Sequence, residues 1–114
     1  MTTQEGTWAA DLDPAARRMI EATNAEDNEA FLAAFAEDAV VDDFGRRFEG
    51  KAEIADWNAR ENIGTHNRIE VTGARPDGDG VLLTIRVRGD GYNGDGTFAI
   101  RSRDDTIHRM VIRG

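Results

Sequence analysis

The residues with the greatest capacity for chemistry are two adjacent carboxylates, Asp42 and Asp43, which end a short apolar run. Successive side chains of a strand point to opposite faces, so Val41 and Asp43 share one face and Asp42 lies on the other. Desolvation in an apolar pocket makes a carboxylate a stronger proton acceptor, and Asp43 is therefore the candidate general base. The competing interpretation is that Asp43 caps a turn or pairs with Arg46 or Arg47 at the surface.

The sequence contains few of the residues that other kinds of catalytic or metal site require. The chain has no cysteine, which excludes disulfides, thiolate nucleophiles and cysteine-based zinc sites. Ser102 is the only serine and Lys51 the only lysine, which disfavours a serine-histidine-aspartate hydrolase and a Schiff-base mechanism. The two histidines, His66 and His108, match no metal-ligand spacing. The sequence therefore predicts neither a metal site nor a cofactor.

Charge and hydropathy limit the partners. A net charge of −8 repels phosphate backbones, so nucleic acid is not an expected partner. No run approaches the ~18 apolar residues of a membrane span, and the polar opening MTTQEGTW lacks the apolar stretch of a signal peptide. We therefore expect a cytoplasmic protein, and its 114 residues are enough for one domain with a real core.

The N-terminal third predicts an arm and then helices. Residues 1–12 show no periodicity and are expected to form an arm, with Trp8 and Leu12 as docking residues, ahead of a single domain over 13–114. Asp13 followed by Pro14 is typical of a helix start, and Asp27 is the expected cap of the next helix. The predicted elements are a first helix from 14, a second over 28–37, a strand over 39–44, a loop over 45–50 and a third helix over 51–60.

From His66 onward the period changes to two, which predicts four strands over 66–74, 81–89, 96–102 and 106–113. Helices followed by a meander of strands indicate an α+β fold, with a curved antiparallel sheet packed against the three helices. The inner face is predicted to carry Ile69, Val71, Val81, Leu83, Ile85, Val87, Phe98 and Ile100. The outer face is predicted to carry arginines and threonines, among them Arg68, Arg86, Arg88, Arg101, Arg109, Thr72, Thr84 and Thr97.

This layout, with the segments FAEDAVVDDFG, FEGKAEIADW and DTIHRMVIRG, resembles the nuclear transport factor 2-like superfamily, in its SnoaL-like and ketosteroid isomerase-like branch. The resemblance covers about residues 14–113. It implies a cone-like sheet and three helices enclosing a small-molecule pocket. The superfamily includes isomerases, cyclases, epoxide hydrolases, dehydratases and non-catalytic binders, so it does not imply one activity.

In the ketosteroid isomerases, the strand before the loop ends in an acid-aspartate pair whose second member is the general base. The resemblance places Asp43 there. The two groups that hold the enolate oxygen in those enzymes correspond to Met19 and Phe98, so both donors are missing here. Limonene epoxide hydrolase needs an Asp-Arg-Asp set; Arg86 is available for the arginine, but Arg88 and Ile112 occupy the carboxylate positions.

The same resemblance assigns a pocket wall. Trp57 and Asn58 align with pocket positions on the third helix, and the Asn58 amide is suited to donate to a carbonyl oxygen. Core packing explains Trp57, and the other apolar candidates, at least as well as ligand contact. The other apolar candidates are Met19, Phe35, Phe98 and Met110.

His108 is the candidate acid partner of Asp43, since a histidine-carboxylate couple suits proton transfer. The aligned isomerase strand places His108, Met110 and Ile112 on the pocket face. The opposite parity, with Ile107, Arg109 and Val111 inward, is equally regular. The orientation of His108 is thus open at this level.

Two functions follow as hypotheses. The first is an isomerase, cyclase or lyase acting on a small apolar or carbonyl-containing molecule, with Asp43 as base. The second is a non-catalytic module that binds a small ligand or dimerises, which the loss of both oxyanion donors favours. Leu82, Ile107 and Val111 among the outer arginines favour a homodimer through the outer sheet face.

Overall fold

The structure is a computed structural model that describes residues 13–114. The predicted arm over 1–12, with Trp8 and Leu12, lies outside the described residues. The helices are α1 (Pro14–Asn24), α2 (Asn28–Ala33) and α3 (Gly50–Glu61), and a short 3₁₀ turn (Ile63–Thr65) follows α3. The strands are β1 (Phe35–Asp43), β2 (Arg46–Glu49), β3 (Arg68–Asp77), β4 (Gly80–Arg88), β5 (Gly94–Arg103) and β6 (Thr106–Arg113). Over this part of the chain, no helix has the length and apolar character needed to cross a membrane.

The first two helices begin where their capping residues predict. The Asp13 carboxylate accepts a hydrogen bond from the Ala16 N–H at 3.0 Å, and Pro14 takes the first helical position. The Asp27 carboxylate accepts from the Ala30 N–H at 3.0 Å at the start of α2. Both caps are confirmed, because short side-chain oxygens satisfy backbone donors that the first turn leaves without partners.

The six strands form one curved open sheet in the order β2-β1-β6-β5-β4-β3. The α+β class is confirmed, but the sheet is mixed and not wholly antiparallel as predicted, because β1 and β6 run parallel. The meander β3 to β6 reverses direction at each turn, and its last strand inserts beside β1. Alternation of side chains identifies strands but not their neighbours, so the sequence pattern carried no sign of this pairing.

The second helix ends four residues earlier than predicted. Phe35 already pairs with Ile107, and the Ala34 carbonyl accepts a hydrogen bond from the Ile107 N–H at 2.8 Å. This long-range pairing outweighs a local helical pattern, and β1 therefore starts at Phe35. The segment predicted as a loop over 45–50 contains β2, which pairs with the end of β1.

The core lies between the helices and the inner face of the sheet. All eight residues predicted for that face are buried, and the predicted outer arginines and threonines are exposed or half-buried. Ile107 is the exception among the outer apolar residues, because it is fully buried in the core. A bulge between β5 and β6 leaves His108 without a partner opposite it and reverses the parity of β6, so Ile107, Met110 and Ile112 all face inward.

Candidate functional site

A cavity of about 450 Å³ opens at one end of the sheet, between α3 and the inner face of the strands. Its apolar wall consists of Trp57, Ile69, Ile85, Val87, Phe98 and Ile112. Its polar or aromatic rim includes Asp43, Phe44, Arg46, Glu61, Asn62, Thr65, Asn67, Tyr92 and Arg113. A concave apolar chamber with a few polar groups at its opening is the usual form of a small-molecule site.

A tight turn sets Asp43 at this rim. Phe44 and Gly45 have φ values of 54° and 93°, which fit a two-residue turn between β1 and β2. The turn pairs Asp43 with Arg46 across the two strands, and Arg46 Nη2 donates to Asp43 Oδ2 at 2.7 Å. The surface pairing considered from the sequence is therefore present, at a position that also borders the cavity.

Trp57 supplies a second donor to the same oxygen. Its Nε1–H donates to Asp43 Oδ2 at 3.0 Å, while its ring lies 6.3 Å from that of Phe31 and 6.2 Å from that of Phe48. These rings orient the indole, which is 4% exposed and is both a core residue and a wall of the cavity.

The other oxygen of Asp43, Oδ1, accepts no hydrogen bond from any residue in the range 13–114. The Asp43 side chain is 13% exposed. Every buried polar side-chain atom of the described residues has a hydrogen-bond partner, so an atom without one, such as Oδ1, is in contact with solvent. Oδ1 is therefore reachable from outside the protein. One carboxylate thus has an anchored oxygen and an open one.

Arg46 is held by a second carboxylate. Its Nη1 and Nη2 donate to the two oxygens of Glu61 at 2.9 and 2.6 Å, a bidentate pair. The hydrogen bond from Arg46 lowers the pKa of Glu61, and the same bond is the main cause of a raised pKa of Arg46. Both shifts favour the charged forms of Arg46 and Glu61, and Asp43 joins them through the same guanidinium.

Asp42 belongs to a separate ion pair. Its Oδ1 accepts from the Gly45 N–H at 2.7 Å and from Arg113 Nη1 at 3.0 Å. The Arg113 hydrogen bond, and then the Gly45 one, lower the pKa of Asp42. Because Asp42 alternates with Asp43 along β1, its carboxylate lies on the other face of the sheet, whereas Arg113 also borders the cavity.

Asn58 lies in a buried amide network, away from the cavity wall. Its Nδ2 donates to Asn28 Oδ1 at 2.8 Å, and its Oδ1 accepts from Asn62 Nδ2 at 2.9 Å and from the Ile63 N–H at 3.4 Å. The network continues to the cavity, since Asn67 Nδ2 donates to Asn62 Oδ1 at 3.1 Å. Asn58 therefore supports the cavity lining and presents no free donor to a ligand.

The remaining predicted site residues divide into two groups. Phe98 lines the cavity with Asp43 and Trp57. Met19, Phe35 and Met110 are each 1% exposed and pack in the core without bordering the cavity. Core packing was the alternative interpretation of these apolar residues.

His108 is not brought together with Asp43. Its Nδ1 lies 3.9 Å from Asp38 Oδ1, its side chain is 26% exposed, and it is absent from the cavity wall. The bulge that turns Ile107 inward also displaces His108. The inward-facing residues therefore change from odd to even numbers along β6, and neither alternation predicted from the sequence describes the whole strand. Arg86 lies on the outer face, where Asp95 accepts from its Nε at 3.0 Å, so it does not reach the cavity either.

Sequence reasoning missed several rim residues. Glu61 and Asn62 end α3, Asn67 precedes β3, and Tyr92 lies between the predicted strands 81–89 and 96–102. The one available signal was Tyr92, the only tyrosine of the chain, within a glycine-rich segment. The others come together only because α3, β3 and β5 meet at one end of the sheet.

Comparison with known proteins agrees with this architecture. The sequence pattern of the SnoaL-like domain family matches residues 16–110. The chain belongs to the SnoaL-like domain family. No curated protein matches the chain.

Solved structures similar to this SnoaL-like protein include a candidate polyketide cyclase from Sinorhizobium meliloti, 28% identical, with a TM-score of 0.82 over 92% of this chain and 98% of that chain. A Δ5-3-ketosteroid isomerase from Mycobacterium sp. is 20% identical, with a TM-score of 0.76 over 88% of this chain and 89% of that chain. A Mycobacterium tuberculosis protein in complex with estradiol-17β-hemisuccinate is 20% identical, with a TM-score of 0.71 over 86% of this chain and 88% of that chain. The last two likenesses establish the shared fold alone.

Proposed function

We propose that this SnoaL-like protein binds a small, largely apolar molecule in the cavity beside Asp43. The supporting observation is the cavity itself, whose wall is apolar and whose charged groups are confined to its rim. Burying an apolar ligand surface there is favourable by about 25 cal/mol per Å². The complex of a similarly folded protein with a steroid ester supports a ligand of this general kind.

The pairing of Asp43 with Arg46 favours binding over catalysis. Both donors to Asp43 act on Oδ2, which holds the side chain in one position as a fixed polar contact. Neither Met19 nor Phe98 replaces the oxyanion donors that the isomerases use, and Asn58 is engaged in its own network. A binding module therefore needs no group beyond those described.

The binding proposal is tested by titration with estradiol-17β-hemisuccinate, followed by native mass spectrometry and by the fluorescence of the tryptophans. We expect Ile112→Trp to fill the cavity and weaken binding at least tenfold, because Ile112 borders it. Ala52→Trp, at an exposed position of α3 outside the cavity wall, is the control and should bind like the parent. Equal binding by both variants would contradict the assignment of the cavity.

Proton transfer is the second candidate function, and the open Oδ1 of Asp43 favours it. In an isomerase, cyclase or lyase, Oδ1 would take a proton from a carbon beside a carbonyl; the C–H electron pair would move to the carbonyl oxygen as an enolate, and the proton would return at another atom. The anchored Oδ2 would keep the open oxygen in place throughout.

Deuterium exchange of 2-tetralone in D₂O, followed by NMR, tests this candidate without knowledge of the natural substrate. A general base contributes about 10²–10⁴ in rate, so Asp43→Asn should remove an acceleration of at least about a hundredfold. Asp56→Asn, on the exposed face of α3, is the control. No acceleration by the parent protein, or full acceleration by Asp43→Asn, would exclude Asp43 as the base.

We also propose a homodimer through the outer sheet face. Leu82, Ala99 and Val111 are aligned across β4, β5 and β6 as one apolar row, and each is half-buried in the single chain. An apolar row among arginines is typical of a surface that another copy covers. A cytoplasmic location stays a prediction from the sequence.

A further inference from the structure

The neutral side chains that line the cavity donate their hydrogen bonds to acceptors within the protein. The Trp57 Nε1–H is taken by Asp43, and the Tyr92 hydroxyl donates to the Asp95 carbonyl at 2.5 Å. Both Asn62 and Asn67 donate from Nδ2 to two acceptors each, and the Thr65 hydroxyl donates within its own turn. A ligand therefore finds almost no neutral side-chain donor in the described lining.

The two arginines near the cavity are also engaged. Arg46 spends Nη1 and Nη2 on Glu61 and Asp43, and its side chain is 55% exposed at the outer edge of the rim. Arg113 also borders the cavity with a side chain that is 48% exposed, and its Nη1 donates to Asp42 Oδ1 and to the Ile112 carbonyl. Both side chains are thus about half exposed, and each guanidinium is paired with a carboxylate.

The cavity nevertheless offers a charged acceptor. Asp43 Oδ1 is reachable and has no donor within residues 13–114. Around it, Asp43 and Glu61 with Arg46, and Asp42 with Arg113, carry three negative and two positive charges, which leaves a balance of −1 at the rim. A group that brings a proton to Oδ1 is favoured over a group that brings only lone pairs.

We infer that the ligand is an apolar molecule with a hydrogen-bond donor, a hydroxyl or an ammonium group, which binds Oδ1 of Asp43. The inference rests on the proposed binding function. A ligand that carries only an acceptor loses the hydration of its oxygen on entering the cavity and gains no neutral side-chain donor. A ligand with a donor group forms a hydrogen bond to Oδ1, the carboxylate oxygen that has no donor among the described residues. Trp57 and Phe98 in the cavity wall supply apolar surface for the body of such a ligand.

Three probes with one skeleton test the inference by calorimetric titration of the full chain: 2-naphthol as hydroxyl donor, 2-naphthylmethylamine as ammonium donor and 2-methoxynaphthalene without a donor. A hydrogen bond to a charged group is worth about tenfold or more in affinity, so at least one donor probe should exceed the methoxy probe by about that factor.

Asp43→Leu should abolish this preference and leave binding of the methoxy probe within about twofold of the parent. Asp43→Asn keeps a neutral acceptor oxygen, so it should retain part of any naphthol preference and lose any ammonium preference. Asp56→Leu on the exposed face of α3 removes a charge elsewhere and should keep the preference intact. Melting temperatures identify variants that fail to fold. If Asp43→Leu does not fold, the preference for donor probes is compared between the parent and Asp43→Asn, whose side chain is closest in shape to that of aspartate.

The outcomes separate the two proposals. Equal affinity of the parent for all three probes, or a preference that survives in Asp43→Leu, would overturn the donor assignment while the cavity remains a binding site. Failure of every probe, and of the steroid ester, to bind the parent protein would overturn both. A preference that depends on Asp43 and not on Asp56 supports the inference.

Discussion

Replacing Asn58 with alanine distinguishes a structural amide from a ligand-binding one. The sequence suggested that Asn58 donates to a carbonyl oxygen of a ligand, whereas the structure places it in a buried network, with 1% of its surface exposed. Asn58→Ala removes the acceptor that Asn62 Nδ2 and the Ile63 N–H share. Because Asn62 and Ile63 are 4% and 5% exposed, water does not readily replace it.

The size of the effect follows from the groups left without partners. A buried donor that loses its acceptor costs about 1–3 kcal/mol, and Asn62 Nδ2 keeps a weaker bond to Thr23 Oγ1 at 3.3 Å. Two such groups and the small void give a loss of about 3 kcal/mol in the free energy of unfolding. For a chain of 114 residues, an unfolding entropy of about 2.1 cal/mol/K per residue converts this into a fall of about 12 °C in Tm.

Thermal unfolding followed by circular dichroism measures the change. Asn28→Ala is the matched control, because Asn28 accepts the other hydrogen bond of Asn58 but is itself exposed. Water can take its place, so the expected cost is about 1 kcal/mol or less, or about 4 °C in Tm. The network is supported when Asn58→Ala is clearly the more damaging of the two.

A fall of less than about 4 °C for Asn58→Ala would refute this reasoning, since two buried donors cannot lose their acceptor so cheaply. If that variant instead kept its Tm and lost only binding of the naphthalene probes, Asn58 would be the ligand contact that the sequence suggested. The two interpretations therefore predict opposite readouts.

Two further predictions concern an ion pair at the end of the sheet and the proposed dimer. The pKa of Asp42 is lowered from 3.8 mainly by Arg113, so the pair stabilises the fold above that pH and its contribution is lost as pH falls through the folded-state value. Arg113→Met should therefore be less stable than the parent at pH 7 and converge with it at pH 2 in urea unfolding; a constant difference would contradict the pairing. For the dimer, Leu82→Glu should shift sedimentation from dimer to monomer while Ala52→Glu on exposed α3 does not, and a monomeric parent would exclude this interface.

Local patterns predicted much of the architecture for identifiable reasons. Asp13 and Asp27 marked the two helix starts because a side-chain oxygen and the free N–H groups of a first turn interact within a few residues. Period-two alternation placed Leu83 and Phe98 in the core because a strand exposes alternate residues to alternate faces. These are interactions between near neighbours, which a sequence displays directly.

Long-range pairing decided what the patterns left ambiguous. The parallel contact of β1 with β6 shortened α2 and moved Phe35 into a strand. The bulge opposite Ser102 turned Ile107 inward and carried His108 away from Asp43, although both parities of β6 looked regular. Strand register depends on partners that are distant in sequence, and one inserted residue reverses every side chain beyond it.

The sequence by itself determined the α+β class, the family resemblance and the presence of Asp43 at the end of β1. Only the tertiary structure decided what surrounds that carboxylate: Arg46 and Trp57 on Oδ2, an open Oδ1, and a lining whose neutral donors are spent. The reason is physical, because the reactivity of a carboxylate depends on its hydrogen bonds and solvation. Those come from α3, β2 and the strand ends, which meet only when the sheet is assembled.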